Sequence, residues 1–374
     1  MKFAPLTVLH ISTEPSWQGG EQQAFYLAQG LRQRGHRSVI VSRKDGAFAK
    51  RMHQQYFQVH TFRRRGRGPD ALWTIRRLVR ALRPDILHAH DGHALSAAGI
   101  ATLGLSRPLC IASRRVVFPI RSPAKYCHLA DGVIAISGAV MNACRTAGIP
   151  EGMLRLVHSG VDPERAGSGN RERGRRALNL SEEDVLLLTI ASLTACKGHA
   201  HLLDALPKVF RQFPKARLAL VGQGELRQKL HDHAVRIGIA DRVQFLGYRN
   251  DIPDLLCAAD LFVMPSVQEG LCTSLLDAML AGVPVVTTSA GGIVDIVGSD
   301  SSDGPYGYVV TPEKSSQLCS AITNALTDPC MKKLADRARE HALRYFTHHQ
   351  MIEGTLSAYH EWLADSARRS AGLF

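Results

Sequence analysis

Short apolar runs alternate with amphipathic stretches along most of the chain. Residues 6–11, 37–42 and 85–90 have the length and apolar character of buried strands, whereas residues 21–34 and 72–82 have helical spacing. Strands that alternate with helices indicate a parallel sheet covered on both faces. The same pattern predicts more strands at 58–62, 109–113, 132–136 and 155–158, and more helices at 93–103 and 138–147.

The alternation stops at residues 165–176, where the chain is rich in Arg and Gly and has the composition of a linker or an exposed loop. It then resumes, and residues 316–364 are helical in pattern. We predict strands at 185–190, 217–221, 243–246, 260–264 and 283–287, and helices at 198–210, 225–237 and near 274–281. The chain is therefore expected to form two doubly wound α/β domains of the Rossmann type. Ligands of such sheets bind beyond the carboxyl ends of the strands, so the expected site is a central cleft that the two domains face.

Composition fits this picture and excludes other classes. The chain has 374 residues, of which 45% are hydrophobic and 21% charged, values typical of globular domains rather than of disordered or fibrous chains. No uncharged apolar run approaches the ~18 residues of a membrane span, and the first residues lack the features of a signal peptide, so we expect a cytoplasmic protein. The eight cysteines include no Cys-x-x-Cys pair, which favours free thiols over a zinc site or a disulfide framework.

The positive charge lies in one half of the chain. Residues 1–165 carry 24 Lys and Arg residues against 10 Asp and Glu residues, whereas residues 166–374 carry 22 against 23. This asymmetry suggests that the N-terminal half faces an anionic partner, such as a membrane surface, an acidic glycolipid or a nucleic acid. A solvated basic face without a partner is the alternative. Nucleic acid is not expected, because the basic clusters lack interleaved aromatic residues and no nucleic-acid motif accompanies them.

The most informative segment is 265–286, in which a strand is followed by a glycine loop, a helix and another strand. Free N–H groups at the start of such a helix suit a phosphate group. Glu269 precedes the helix and Asp277 lies in its first turns, so the two carboxylates could hold hydroxyls of a sugar and of a ribose. A second interpretation of Asp277 is structural, because Ser274 and Asp277 have the spacing of a capping box.

This segment resembles the retaining GT-B glycosyltransferases of family 4, whose pattern has two Glu residues separated by seven positions. Glu269 matches the first Glu, and Asp277 stands at the second position with a side chain one methylene shorter. The resemblance implies that Glu269 contacts the donor sugar and that Asp277 holds the ribose. It also implies two domains, 1–165 for the acceptor and 166–345 for the nucleotide-sugar, and a C-terminal helix in 346–374 that packs toward the N-terminal domain.

The resemblance extends along nearly the whole chain. The glycine loop Gly19-Gly20 is similar to the family loop near the donor phosphates, and His90 ends a strand as the family's reaction-centre histidine does. We expect His88 to point into the core, and no further ligand cluster accompanies these histidines, so neither a metal nor another cofactor is expected. Lys197 matches one phosphate-binding cation of the family, whereas Ser192 stands where the family has an arginine.

The remaining expected site residues fall into two groups. The resemblance implies donor contacts for the loop glycines, the segment that flanks the base and the helix start, namely Gly222, Gly224, Arg249, Gly270, Leu271 and Thr273. For an anionic acceptor or membrane, the basic domain offers Arg63, Arg64, Arg65, Arg76, Arg80, Arg114 and Arg115. Arg114, Arg115 and Arg249 are also candidates to replace the cation that is missing at Ser192.

The expected function is hexosyl or heptosyl transfer, with retention, from a nucleotide-sugar to a lipid-linked or surface-polysaccharide acceptor of the lipopolysaccharide type. Peripheral association with the inner face of an anionic membrane is expected to accompany it. Two alternatives stay open. One is a GT-B binding subunit at the membrane that has lost transfer, which Ser192 and Asp277 favour and Lys197, Glu269 and His90 oppose. The other is a nucleotide-sugar epimerase or hydrolase on the same fold.

Overall fold

The computed structural model describes residues 4–63, 66, 68–105, 108–298 and 305–370, and the side chains of these residues up to 368. The chain forms two compact units. The first unit contains residues 1–160 and 348–374, and the second contains residues 161–347. The boundary therefore lies at Gly160 rather than at the predicted residue 165, and the helical tail that belongs with the first unit begins at His348.

Within the described residues, the first unit has a sheet of seven parallel strands in the order β3-β2-β1-β4-β5-β6-β7. The strands are β1 (Thr7–Ser12), β2 (Arg37–Arg43), β3 (Gln58–Phe62), β4 (Ile86–Ala89), β5 (Leu109–Arg114), β6 (Gly132–Ala135) and β7 (Leu154–Leu156). Helices follow the strands as α1 (Gly19–Gln33), α2 (Ala47–Gln54), α3 (Pro69–Leu82), α4 (Gly92–Ala101), α5 (Pro123–Leu129) and α6 (Gly138–Thr146).

The central strands of this sheet are buried along most of their length because helices cover both of their faces, and most of their residues are apolar. All four residues of β4 are buried, and β1 is buried from Val8 to Ser12. The last helix of the chain, α16 (His348–Ser370), packs on this unit. Gly30 allows it to approach α1 closely, since a Cβ at Gly30 would lie 2.2 Å from the Cδ1 atom of Ile352. Trp362 and Tyr359 are fully buried in the same core.

The second unit has six parallel strands in its described residues, in the order β10-β9-β8-β11-β12-β13. They are β8 (Val185–Ile190), β9 (Ala216–Val221), β10 (Val243–Gly247), β11 (Leu261–Met264), β12 (Val285–Thr288) and β13 (Tyr308–Val310). The helices are α7 (Pro163–Gly167), α8 (Arg171–Ala177), α9 (His199–Gln212), α10 (Arg227–Arg236), α11 (Ile252–Ala258), α12 (Thr273–Leu280), α13 (Ile293–Val297), α14 (Ser315–Thr327) and α15 (Met331–Tyr345).

The prediction of a linker over residues 165–176 is wrong, because most of this stretch is helical in α7 and α8. The Asp162 carboxylate and the Asn170 side chain cap these helices by accepting hydrogen bonds from backbone N–H groups of their first turns. Gly174 is required by close packing, since a Cβ there would lie 2.1 Å from the carbonyl oxygen of Asp254. The Arg- and Gly-rich composition of this stretch suggested a loop, because composition does not show that Gly174 is needed for close packing of a helix.

Among the residues that the structure describes, no helix is both long enough and apolar enough to cross a membrane.

Candidate functional site

In the second unit, an ion pair joins two predicted site residues at the carboxyl edge of the sheet. Glu269 lies in the loop between β11 and α12, and Lys197 closes a short 3-10 turn after β8. The Nζ atom of Lys197 is 2.5 Å from Oε2 of Glu269, and the two side chains are only 19% and 10% exposed. Burial lowers the pKa of Lys197, but the Glu269 carboxylate more than offsets this, and the pKa is raised overall. The Lys197 ammonium group is therefore charged at neutral pH and lies directly against the Glu269 carboxyl group.

The backbone around Glu269 is fixed by two glycine turns. The N–H group of Gly292 donates to the Glu269 carbonyl at 3.0 Å, and a Cβ at Gly291 would lie 2.1 Å from the same oxygen. Gly198, with a φ of +68°, packs against the carbonyl of Pro265, and the Ser266 hydroxyl donates to the Glu269 carboxylate at 3.2 Å. The loop is thus preorganised by contacts within its own unit.

Asp277 has a partner that the sequence did not suggest. Its carboxylate accepts hydrogen bonds from Nη2 of Arg165 at 2.9 and 2.7 Å, across 112 residues of chain. Helix α12 begins at Thr273 after Cys272, with no side-chain cap, so the capping-box interpretation of Ser274 and Asp277 is wrong. Burial raises the pKa of Asp277, and the charge of Arg165 opposes that rise. A carboxylate offers about four lone-pair positions, so Asp277 retains capacity for hydroxyl donors.

Gly222 and Gly224 are explained by packing of the chain on itself. Gly222 has a φ of +140°, and a Cβ there would lie 1.9 Å from the Ala191 carbonyl oxygen; at Gly224 it would lie 2.3 Å from that of Leu193. The two loops at the ends of β8 and β9 therefore lie directly against each other. Ser192, between these contacts, is exposed.

The other predicted donor-binding residues lie in different surroundings. The guanidinium of Arg249 donates hydrogen bonds to both carboxylate oxygens of Asp251. Its charge is therefore already paired and does not replace the cation that is missing at Ser192. Leu271 is buried, Gly270 lies beside Glu269, and Thr273 is the first residue of α12 and is half-buried. Gly270, Leu271 and Thr273 thus lead from Glu269 into the helix that carries Asp277.

The first unit has its own cluster at the carboxyl edge of its sheet. Gly19 and Gly20 are the first residues of α1, which begins two residues before the predicted start. Arg115 follows β5, and its Cδ atom would lie 3.4 Å from a Cβ at Gly20. Burial raises the pKa of Glu21 to about 7, with the positive charge of Arg115 among the opposing effects. Burial also lowers the pKa of Arg115 to about 10.

His90 lies immediately after β4 and is buried. The next residue, Asp91, caps α4 through the N–H groups of His93 and Ala94, and it accepts hydrogen bonds from the backbone and hydroxyl of Thr13 at 2.7 and 2.8 Å. This carboxylate therefore ties the end of β1 to the end of β4. The backbone position of His90 follows from that connection.

His88 is buried in the core, as its place in the strand indicated, and its ring nitrogens contact the hydroxyls of Tyr359 and Ser113. His10 of β1 was missed by the sequence analysis. The structure brings His10, His88 and His90 together, with their candidate ligand nitrogens within 4.8 Å of one another. The structure therefore adds His10 to the two histidines of β4 and its carboxyl end, and the expected absence of a metal stays a prediction. The signal available in the sequence was a histidine in an otherwise apolar strand.

The predicted basic residues do not form one site. Arg63 and Arg80 are exposed, whereas Arg76 donates to the carbonyls of Ala101 and Leu103 at 3.0 and 2.9 Å and so fastens α3 to the end of α4. Arg114 donates to the carbonyl of Phe118. Arg64 and Arg65 lie outside the described residues.

Taken together, each unit carries polar and charged groups at the carboxyl edge of a parallel sheet. Two such Rossmann-type α/β units define the GT-B class.

Comparison with known families agrees with this class. Residues 17–165 match the family model described as Glycosyltransferase Family 4, and residues 170–344 match the one described as Glycosyl transferases group 1. The chain belongs to this family of glycosyltransferases.

Individual relatives are distant. The chain is 26% identical over 235 residues to an uncharacterized glycosyltransferase, MJ1607, of Methanocaldococcus jannaschii, covering 61% of this chain and 59% of the relative. It is 32% identical over 198 residues to the lipopolysaccharide glucosyltransferase WaaG of Escherichia coli, covering 50% and 51%. The crystal structure of Anabaena Alr3699/HepE in complex with UDP and glucose superposes with a TM-score of 0.84 at 23% identity, covering 94% and 99%. The chain thus spans between half and three fifths of the length of these two curated relatives.

Proposed function

We propose that this protein transfers a hexose or heptose, with retention, from a nucleotide-sugar to a lipid-linked or surface-polysaccharide acceptor of the lipopolysaccharide type. The observation that carries the proposal is the preorganised edge of the second unit, where Lys197 pairs with Glu269 just before α12 and the same helix carries Asp277. A cation and two carboxylates at a helix start suit a diphosphate flanked by a sugar and a ribose.

Each group has a distinct task in this reaction. The Glu269 carboxylate accepts hydrogen bonds from hydroxyls of the donor sugar, and Asp277 accepts them from the ribose. The ammonium group of Lys197 offsets the charge that develops on the leaving diphosphate, together with the free N–H groups at the start of α12. The reaction needs no metal or other cofactor in this scheme, because Lys197 and the helix start supply the positive charge.

A uridine nucleotide is the first donor to test. A structure similar to this chain is that of Anabaena Alr3699/HepE in complex with UDP-glucose, at 24% identity. The similarity to WaaG of Escherichia coli, which acts in lipopolysaccharide synthesis, supports an acceptor of that type. The acceptor is proposed to contact the first unit, where Arg114 ends β5, Arg115 follows it, and the nearby Val116 and Phe118 are exposed. Charge for an anionic group and apolar surface for a lipid occur together there.

The competing proposal is a binding subunit without transfer. It is favoured by Ser192, which places a hydroxyl where the family resemblance implies an arginine, and by Arg249, whose guanidinium is paired with the carboxylate of Asp251. An epimerase or hydrolase would use the same donor site, but it needs no acceptor and so would not explain the positive charge of the first unit.

A thermal-shift panel of UDP-, GDP- and ADP-sugars tests the donor assignment. A donor present at 100 times its dissociation constant stabilises the folded protein by about 2.7 kcal/mol. We expect one nucleotide class to shift the wild type and not Asp277→Ala, while the matched control Asp336→Ala, which removes an exposed carboxylate of α15, responds like the wild type. No shift with any nucleotide-sugar in a folded protein would contradict the proposal.

Turnover then separates the alternatives. A transferase releases free nucleotide in the presence of acceptor glycolipid, and Glu269→Gln should lower kcat by about a hundredfold or more. Activity that is unchanged by EDTA supports the absence of a metal. Donor binding without turnover would favour the binding subunit, and turnover without acceptor would favour the hydrolase or epimerase.

A further inference from the structure

A line of buried polar side chains runs behind His90 in the core of the first unit. The Ser38 hydroxyl of β2 donates to the carbonyl of Ala28 in α1 at 3.2 Å. Nε2 of His10 lies 3.3 Å from the Ser38 oxygen, and Nδ1 of His10 lies 3.0 Å from Nε2 of His90. Both histidines and Ser38 are buried. The three side chains form a single hydrogen-bonded chain from α1 to His90.

Both imidazole rings are neutral in this environment. Burial lowers the pKa of His10 to about 3, and it lowers the pKa of His90 well below its ordinary value, with the charges of His88, His10 and Arg115 acting in the same direction. A neutral imidazole has one N–H donor and one nitrogen with a lone pair. The direction of each hydrogen bond in the chain therefore decides which nitrogen of the next ring carries the proton.

The direction follows from the hydroxyl of Ser38, which has one hydrogen. That hydrogen is donated to Ala28, so the Ser38 oxygen accepts from Nε2–H of His10. His10 then has its lone pair on Nδ1 and accepts from Nε2–H of His90. In the opposite direction, the Ser38 hydroxyl would donate to His10 and its hydrogen bond to Ala28 would be lost. The Nδ1 atom of His90 would then carry a hydrogen and be a buried N–H donor without a partner. Unpaired buried N–H donors are rarer in proteins than unpaired acceptors.

The ring geometry agrees with an in-line bond. The rings of His10 and His90 are tilted by only 11° and their centroids are 5.3 Å apart, although the two nitrogens are 3.0 Å apart. Two imidazoles show this combination when they lie end to end in nearly one plane. His88 covers a face of His90 at a centroid distance of 4.3 Å, and its own nitrogens are held by Tyr359 and Ser113. The His90 ring is therefore fixed at one edge and on one face.

A metal ion fits this arrangement poorly. Ligating imidazoles direct their in-plane lone pairs to one point, whereas the His88 ring is stacked on that of His90, with 21° between the planes. A cation would also have to break the bond between His10 and His90 and the two bonds of His88. The hydrogen-bonded chain, rather than a metal centre, accounts for the three histidines.

One ring nitrogen of His90 is not accounted for by these hydrogen bonds. Nδ1 of His90 is buried and has no hydrogen-bond partner among the residues that the structure describes. We propose that His10 is a positioning residue that holds His90 in its Nε2–H tautomer, so that Nδ1 of His90 accepts a hydrogen bond from a hydroxyl group of the bound sugar. The presence of a sugar at this nitrogen rests on the proposed function, whereas the tautomer of His90 does not.

The tautomer can be observed directly. Long-range 1H–15N correlation spectra of protein labelled at histidine distinguish a protonated from an unprotonated ring nitrogen, and the His90 signals are assigned by their loss in His90→Gln. We expect Nε2 of His90 to be protonated and Nδ1 to be bare in the wild type. A wild-type His90 that is protonated at Nδ1 would overturn the proposal.

Two variants of His10 give the matched comparison. His10→Asn places an amide oxygen near the former Nδ1 and should keep the His90 tautomer, whereas His10→Leu removes the acceptor and should produce a mixture of tautomers. Thermal unfolding of both variants shows whether each is folded. Identical His90 spectra in folded His10→Leu and wild type would show that His10 does not set the tautomer.

Kinetics tests the role of the sugar hydroxyl. With the donor identified by the thermal-shift panel, His10→Leu should lower kcat/KM by about ten- to a hundredfold, the range of one or two hydrogen bonds, and His10→Asn should recover most of it. A deoxy donor that lacks the contacting hydroxyl should lose far less on going from wild type to His10→Leu. Equal losses on all deoxy donors would overturn the contact to Nδ1.

An equimolar Zn2+ titration provides the last comparison. We expect the His10 and His90 signals to stay unchanged. Stoichiometric Zn2+ binding that disappears in His10→Leu would replace the hydrogen-bonded chain with a metal site. If no donor binds at all, the proposed function fails while the spectra still decide the tautomer.

Discussion

At the scale of single residues, Asp277 shows how burial and a distant partner set the state of a site carboxylate. Burial raises its pKa, and Arg165 of α7 opposes the rise through two hydrogen bonds. Arg165 is 40% exposed, so its charge is partly screened by solvent. The arginine therefore favours the ionised form of Asp277, the form that is proposed to bind the ribose.

We predict that Arg165→Leu destabilises the protein by about 1–3 kcal/mol at pH 8, because it leaves a buried carboxylate without its cation. The pKa of Asp277 in the folded state is raised already and rises further in the variant. The folded state then binds a proton more readily than the unfolded state, so the loss grows as pH rises above the pKa of the unfolded chain and shrinks toward pH 5. Urea unfolding at both pH values measures it.

The double variant Arg165→Leu/Asp277→Asn serves as the control. It removes the charge along with its partner, so its stability should depend less on pH than that of Arg165→Leu. A loss of the same size at pH 5 and pH 8 in the single variant would mean that Arg165 acts through packing.

At the scale of elements, glycines determine how closely the site loops approach one another. The contact of Gly222 with Ala191 brings the loop after β9 against the loop after β8, and the contact of Gly291 with Glu269 does the same for the loop before α12. These contacts hold regardless of any ligand. The Gly-x-Gly pattern in this chain is thus explained by packing, and its contact with a donor stays a prediction.

We predict that Gly222→Ala costs about 3 kcal/mol or more, because the new Cβ meets the Ala191 carbonyl at 1.9 Å and φ is +140°. The matched control is Gly238→Ala after α10, where φ is +72° but nothing lies within 4 Å, so only about 1 kcal/mol of backbone strain is expected. Denaturant unfolding compares the two. Equal losses of unfolding free energy in the two variants would show that the loop containing Ala191 moves away to accommodate the new Cβ.

The elements also show where sequence patterns suffice. The predicted boundaries of β3 (Gln58–Phe62) and β8 (Val185–Ile190) match the structure. For β8 the reason is burial, since buried strands in a parallel sheet are mostly continuous apolar runs. Besides α7 and α8, five short elements of the described residues were not predicted: α2, α5, α11, α13 and β13. Helices of five to eight residues, such as α13 and α2, complete too few turns to produce a helical period.

At the scale of the whole molecule, the positive charge is concentrated in one part of the chain, and apolar side chains accompany it. On α3, Trp73 is 62% exposed with the Arg77 guanidinium 4.8 Å above its ring, and Arg80 is also exposed. The neighbouring Leu103 is 63% exposed. Exposed aromatic and basic residues together suit an anionic lipid surface.

We predict that the protein binds vesicles containing phosphatidylglycerol and that Arg77→Ala/Arg80→Ala weakens the partitioning by about tenfold or more, because each basic residue contributes about 1 kcal/mol near such a surface. Lys332→Ala/Lys333→Ala, on α15 of the second unit, removes the same charge and should have little effect. Vesicle co-sedimentation at two salt concentrations measures both, since added salt should weaken the binding. Equal losses in the two variants would indicate an effect of net charge alone.

The sequence by itself determined the α/β class, the order of the longer strands and helices in both halves, and the family, because these depend on local periodicity and on short motifs. It also named Lys197 and Glu269, which the structure pairs. The tertiary structure alone decided which distant side chains meet. It paired Asp277 with Arg165, packed Gly174 of α8 against the carbonyl of Asp254, and joined His10 to His90. Such partners are set by how strands and helices pack across long stretches of chain, and no local pattern records that packing.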